Sequence, residues 1–162
     1  MKPSEKAYEI IRLFEGLSLR ACKAIPSEKY YSIGYGHYSK DIRKGQLITQ
    51  QQAEEYLHQD VATFADKLSQ DAPHLAQHQY DALCSLIYNI GWYAYRYSMT
   101  RNLVLNAHKS GKDIYAARRI ILWTKAGGQT LLGLQKRRVY EANYFLGREV
   151  FTLKNNQIIE YR

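Results

Sequence analysis

The chain has 162 residues, 46% of them hydrophobic and 13% aromatic, 15 being tyrosines; this is enough for one domain with a real core and excludes a disordered chain. Two cysteines, Cys22 and Cys84, exclude a disulfide scaffold; they allow one bridge, with two free thiols the favoured reading. The net charge of +8 is lopsided: residues 1–95 carry 10 Lys and Arg against 11 Asp and Glu, residues 96–162 carry 13 against 4, so the back half is the expected anion-facing surface, suited to nucleic acid, acidic lipid or anionic cell-wall polymer.

In chain order, Met1 to Glu15 is charged and has no apolar signal segment. Within it Ser4 caps a helix whose apolar face is Tyr8, Ile11 and Phe14, and Gly16 ends it. From Leu17 to Ile48 no helical period survives; β-like runs such as Leu17-Ser18-Leu19 and Tyr30–Ile33, punctuated by Pro26, Gly34, Gly36 and Gly45, predict two or three antiparallel strands. Thr49 with Gln52 fits a capping box opening a helix to about Leu68. A helix from about Leu75 to Ile90 is apolar nearly all round, which predicts a central buried position. Further helices are expected at about 99–109, 112–124 and 133–146, with Gly127-Gly128 breaking the last two apart. The tail alternates weakly around Asn155-Asn156, the pattern of a hairpin. No run reaches the roughly 18–20 apolar residues of a membrane helix. The expected architecture is α+β: a small antiparallel sheet lobe over about 17–48, a larger helical lobe over about 49–147, a ligand cleft between them, and an extension over 148–162.

Five segments taken together resemble the phage-type lysozymes, the endolysin muramidases of glycoside hydrolase family 24. They are Phe14-Glu15-Gly16-Leu17, Tyr31–His37, Ala53–Val61, Asp81–Gly91, and Trp123–Gly128 followed by Gly133–Glu141. The resemblance covers roughly residues 4–147. It implies a lysozyme-like fold and hydrolysis of the β-1,4 bond between N-acetylmuramic acid and N-acetylglucosamine in peptidoglycan, with no cofactor. The reaction needs a protonated acid for the leaving oxygen and a group on the far face of the sugar. The resemblance gives the acid as Glu15. Its place at the C-terminal end of a helix independently favours the protonated form, because the dipole there is negative.

The second group departs from the family pattern. That pattern places an Asp, or in some members a Cys, nine positions after the Glu, and a Thr six further on. Nine after Glu15 is Ala24, and six before Ser32, which takes the Thr position, is Pro26. Ser32 keeps the hydroxyl that would hold a water. Three residues could stand in for the Asp: Cys22, Glu28 and Asp41. A fourth option is that none does.

His37 is expected to pair with Asp60 across the sheet–helix junction, as its family counterpart does. By motif position Tyr38 and Tyr95 resemble residues that line the family's cleft and are expected to bind substrate. Arg137-Arg138 reads either as a plain solvated basic face or as one that attracts anionic wall polymer or the peptide carboxylates of peptidoglycan. His74 and His78, one helical turn apart, lack a third metal ligand, and Gly34-Tyr35-Gly36 is no dinucleotide fingerprint.

The leading function is thus a peptidoglycan hydrolase acting in cell-wall degradation and host lysis. The alternative is a catalytically weak wall- or glycan-binding module on the same fold, motivated by the absent Asp. A nucleic-acid binder ranks last, since no base-reading helix or RNA-type aromatic motif is evident. The expected partner is bacterial peptidoglycan, without nucleic acid or stable membrane insertion, for a monomeric chain. The resemblance implies synthesis in the cytoplasm and action on the wall after release through a permeabilised membrane.

Overall fold

The computed structural model describes residues 1–23 and 26–161, with side chains described for all of these except 108–110. Helix α1 (Glu5–Glu15) begins where Ser4 Oγ accepts from the Lys6 N–H and ends at Gly16. Ser4 also ties the helix to the centre of the molecule, its hydroxyl donating to Asp81 at 2.5 Å and its N–H at 3.0 Å.

Three short strands follow: β1 (Ser18–Cys22), β2 (Tyr31–Gly34) and β3 (His37–Ser39), antiparallel in that order. Cys22 pairs with Ser32, and Ser32 in turn with Tyr38; an irregularity between Ser18 and Cys22 shifts the β1 register. Ile33 on β2 faces the core and is 1% exposed.

Helix α2 (Gln50–Asp71) opens with the expected capping box of Thr49 and Gln52 and runs three residues beyond the predicted Leu68. Helix α3 (Gln77–Ile90) is the buried axis of the helical region, with Ala82, Leu83, Cys84 and Leu86 inaccessible to solvent. It packs against α1, α2 and α7 (Leu132–Leu146). Between them lie α4 (Trp92–Arg96), α5 (Met99–Ser110) and α6 (Asp113–Ile120). The sequence showed no sign of α4, because five residues are too few to display a helical period.

Helix α6 stops four residues before its predicted end. Its chain must turn into a small hairpin, β4 (Lys125–Ala126) and β5 (Gln129–Thr130), whose turn residues Gly127 and Gly128 have φ of 56° and 79°. Positive φ at both central residues is the geometry of a tight hairpin turn, and glycine adopts it without steric cost.

The C-terminal hairpin is present as expected: β6 (Phe151–Lys154) and β7 (Gln157–Glu160) join through Asn155 and Asn156, both at positive φ. It is fastened to the helices. Asn143 on α7 donates to the Phe151 carbonyl at 2.8 Å and accepts from the N–H groups of Val150 and Phe151. Arg118 on α6 forms a two-pronged ion pair with Glu160. Cys22 is exposed, Cys84 is buried, and both are free thiols. No helix among the described residues is long and apolar enough to cross a membrane.

Candidate active site

Glu15 is the last residue of α1, and Gly16 turns the chain away so that the carboxyl meets the sheet. A cavity of about 240 Å³ opens there, lined by Glu15, Ser18, Cys22, Ser32, Gly36 and adjoining backbone. The Cys22–Ser32 strand pair places a thiol-bearing and a hydroxyl-bearing residue side by side in this cavity with the carboxyl. Gly36, in the turn between β2 and β3, stands beside the carboxyl: a Cβ there would lie 3.6 Å from Glu15 Oε2.

The other carboxyl oxygen, Oε1, accepts a hydrogen bond of 2.5 Å from Arg137 Nη1. Arg137 in turn is gripped from behind. Its Nε donates to Glu141 Oε1 at 2.9 Å and its Nη2 to the Ser85 carbonyl at 3.0 Å. Ser85 Oγ donates to the same Glu141 oxygen at 2.6 Å. The second Glu141 oxygen takes Arg138 Nη1 at 2.7 Å, and Arg138 Nη2 reaches Asn89. Burial pushes the Arg138 guanidinium below the ordinary arginine range, with the Glu141 charge opposing it.

This network corrects the expectation of a solvated basic face: Arg137 and Arg138 are 2% and 0% exposed. It also sets a buried guanidinium against Glu15 Oε1, a contact that the position of Glu15 at the helix end did not indicate. The one trace of it in the sequence is the opposite charge of Arg137 and Glu141 one turn apart, a spacing shared by surface pairs.

A second cavity of about 250 Å³ continues from the first past Gly36, which lines both. Tyr38 from β3 and Trp92 from α4 both line it, together with Asp60, Thr63 and Tyr88. Tyr38 is 48% exposed, and its hydroxyl accepts from the Tyr30 N–H. Nothing in the sequence marks Trp92 for this place, because the five-residue α4 that carries it shows no helical period.

Tyr95 is a correction. It is 0% exposed, and its ring supports Trp92 from the core at 5.9 Å between centroids, so it cannot touch a ligand in the cleft. The two lie three positions apart on one helix, which puts them on the same side at different depths.

His37 Nδ1 lies 2.9 Å from Asp60 Oδ1, and its ring stacks on Tyr56 at 4.4 Å, joining sheet to α2 as expected. Neither Glu28 nor Asp41 lines the cavity that holds Glu15. Ala24 lies outside the described residues. His74 sits beside the Val104 carbonyl and His78 against Gly147, and no cluster of three metal-ligating side chains occurs among the described residues.

A sequence model of the phage lysozyme family matches residues 12–141, the stretch that carries Glu15, the sheet, α2, α3 and the Arg137–Glu141 network. The chain belongs to the phage lysozyme family. It is 40% identical over 146 residues to the endolysin of Bacillus phage PZA, an alignment covering 90% of this chain and 55% of that protein. The chain thus spans about half the length of the Bacillus phage endolysins it matches. Among solved structures, the muramidase domain of SpmX from Asticaccaulis excentricus superposes with a TM-score of 0.78 at 32% identity, covering 90% of this chain and 97% of that one. The endolysin from Escherichia coli O157:H7 phage FAHEc1 gives 0.77 at 33% identity, covering 90% and 94%. The fold of this phage lysozyme relative is therefore lysozyme-like, α+β, as its sequence implied.

Proposed function

We propose that the chain is a muramidase that hydrolyses the β-1,4 bond between N-acetylmuramic acid and N-acetylglucosamine of bacterial peptidoglycan, contributing to wall degradation and lysis. The observation that carries this reading is the meeting of Glu15, Cys22 and Ser32 in one cavity at the sheet–helix cleft.

In this reading Glu15 protonates the leaving glycosidic oxygen. Arg137 holds Oε1, so the carboxyl presents Oε2, the oxygen beside Gly36, to the cleft. As the bond breaks, positive charge develops at the sugar's anomeric centre. Ser32 holds the water that attacks it. Cys22 takes the place of the absent Asp, because it alone of the three stand-ins lines the cavity. Tyr38 and Trp92 supply ring faces for the sugar beyond Gly36, where apolar pyranose faces pack on aromatic surfaces. The family resemblance supplies the identity of the glycan, and access to the wall through a permeabilised membrane follows from the same reading.

Product analysis tests the assignment. Incubation with purified peptidoglycan should release fragments with N-acetylmuramic acid at each new reducing end. Fragments ending in N-acetylglucosamine, or cut at a peptide bond, would overturn it. The anomer formed reports inversion or retention, and with it the role of Cys22.

A further inference from the structure

A cavity of about 630 Å³ lies away from the cleft, between α7 and the C-terminal hairpin. One wall is the ring pair of Tyr140 and Tyr144, with centroids 6.4 Å apart and planes 26° from parallel. The buried Phe151 of β6 also lines it, and Tyr161 is 59% exposed on the lining. Lys136 and Arg148 also line the groove; both are exposed, and neither forms an ion pair among the described residues. Glu149 is the one acidic residue on the lining.

The hairpin that closes this groove lies beyond the stretch matching the family, 12–141. It is held rigidly, by the three Asn143 hydrogen bonds and the Arg118–Glu160 pair, so the groove is a formed feature of the fold. With Arg137 and Arg138 buried, the positive charge of the back half must act through other side chains, and Lys136 and Arg148 are two that line the groove with the half-buried Tyr140 and Tyr144 and the exposed Tyr161. Tyrosine faces flanked by unpaired cations suit a sugar chain bearing carboxylates: the rings take apolar pyranose faces, the cations take the acids. A second copy of this chain is a poor occupant, since each copy carries a net charge of +8.

We propose that the groove between α7 and the C-terminal hairpin is a second, non-catalytic binding site for peptidoglycan, taking a glycan strand with its carboxylate-bearing peptide arms. The identity of the ligand rests on the muramidase reading; the presence of an anionic-glycan site does not. The groove would keep the enzyme on the wall between cuts by adding a contact independent of the cleft.

The test uses the full chain carrying Glu15→Gln, to suppress turnover, and purified peptidoglycan stripped of phosphate-bearing polymers. Wall binding is read by co-sedimentation with and without Lys136→Ala and Arg148→Ala, both at exposed positions. Losing two exposed charge contacts should weaken binding about tenfold. With Glu15 intact, the same double substitution should leave kcat/KM on a short soluble glycan oligomer within about twofold, since that substrate fills only the cleft. Wall binding unchanged by the double substitution overturns the proposal, as does binding that appears only when phosphate polymers are left on the wall. Self-association abolished by the double substitution would assign the groove to a second copy and overturn it equally. The two readings fail separately: groove-dependent wall binding with no glycan cleavage sinks the muramidase, whereas oligomer cleavage with groove-independent wall binding sinks the groove alone.

Discussion

On the sheet side of the cleft, Cys22 and Ser32 sit on strands of five and four residues, with Cys22 exposed to solvent. On the helical side, Arg137, Arg138 and Glu141 are almost wholly excluded from water and hold one another with charge-assisted hydrogen bonds, Arg138 Nε alone of the three residues' described polar atoms staying unpartnered. Glu15 is the link, its carboxyl held by the helical network and facing the sheet cavity. The difference teaches a division of labour. The helical region spends packing and buried polar contacts to fix one carboxyl, while the sheet offers small polar groups that can change without threatening the fold. Substitutions on the two sides should therefore separate stability from turnover.

The largest stability effect is expected from Glu141→Gln. It leaves two buried guanidinium groups without their shared counter-charge, which should cost about 3–5 kcal/mol. Urea unfolding checks this, and a loss below about 1 kcal/mol would break the comparison, since losses of that size are typical of exposed pairs. Leu83→Ala, in the inaccessible heart of α3, should cost about 3 kcal/mol through lost burial and a cavity, read in the same experiment.

Cys22→Ala sharpens the other side. It should lower the rate of reducing-end release at least about tenfold while moving stability by less than about 0.5 kcal/mol, as exposed positions do. A rate that survives Cys22→Ala but falls with Glu28→Gln or Asp41→Asn would move the second group elsewhere.

The smallest effect concerns pH. The Arg12 guanidinium, at 2.7 Å, holds the Glu54 carboxyl below the usual carboxylate range, with the Tyr35 hydroxyl helping and burial opposing. The folded pKa is thus below the unfolded one. The pair's stabilisation is present above the unfolded pKa and fades as pH falls through the folded one. Both side chains are partly exposed, so less than about 1 kcal/mol is at stake. Glu54→Gln should flatten the acid limb of a stability-against-pH curve; an unchanged limb would assign it to other carboxylates.

What could be read from the sequence was local. Ser4, Gly16, Thr49 with Gln52, and Asn155-Asn156 announce helix ends and a turn because each acts on backbone groups within a few residues of itself. His37 and Asp60, 23 positions apart, are legible as a pair only through the family pattern. The rest depends on contacts distant in the chain. Arg137-Arg138 reads as a surface pair until Ser85, Asn89 and Glu141 are brought around it. Tyr38 and Tyr95 look equivalent as residues, but one lies on an edge strand and the other on the inner side of a one-turn helix. Cys22 could not be preferred over Glu28 or Asp41 by counting, because the irregularity in β1 decides what faces Ser32.

The central claim is that Glu15, held by Arg137, is the acid of the cleft. The most direct test measures reducing-end release from purified peptidoglycan and the unfolding midpoint together for Glu15→Gln. The amide can still accept from Arg137, so the midpoint should stay within about 5 °C of the parent. The rate should fall about a hundredfold or more, the scale of losing a positioned acid. A variant that keeps its fold and releases reducing ends within about tenfold of the parent would contradict the account.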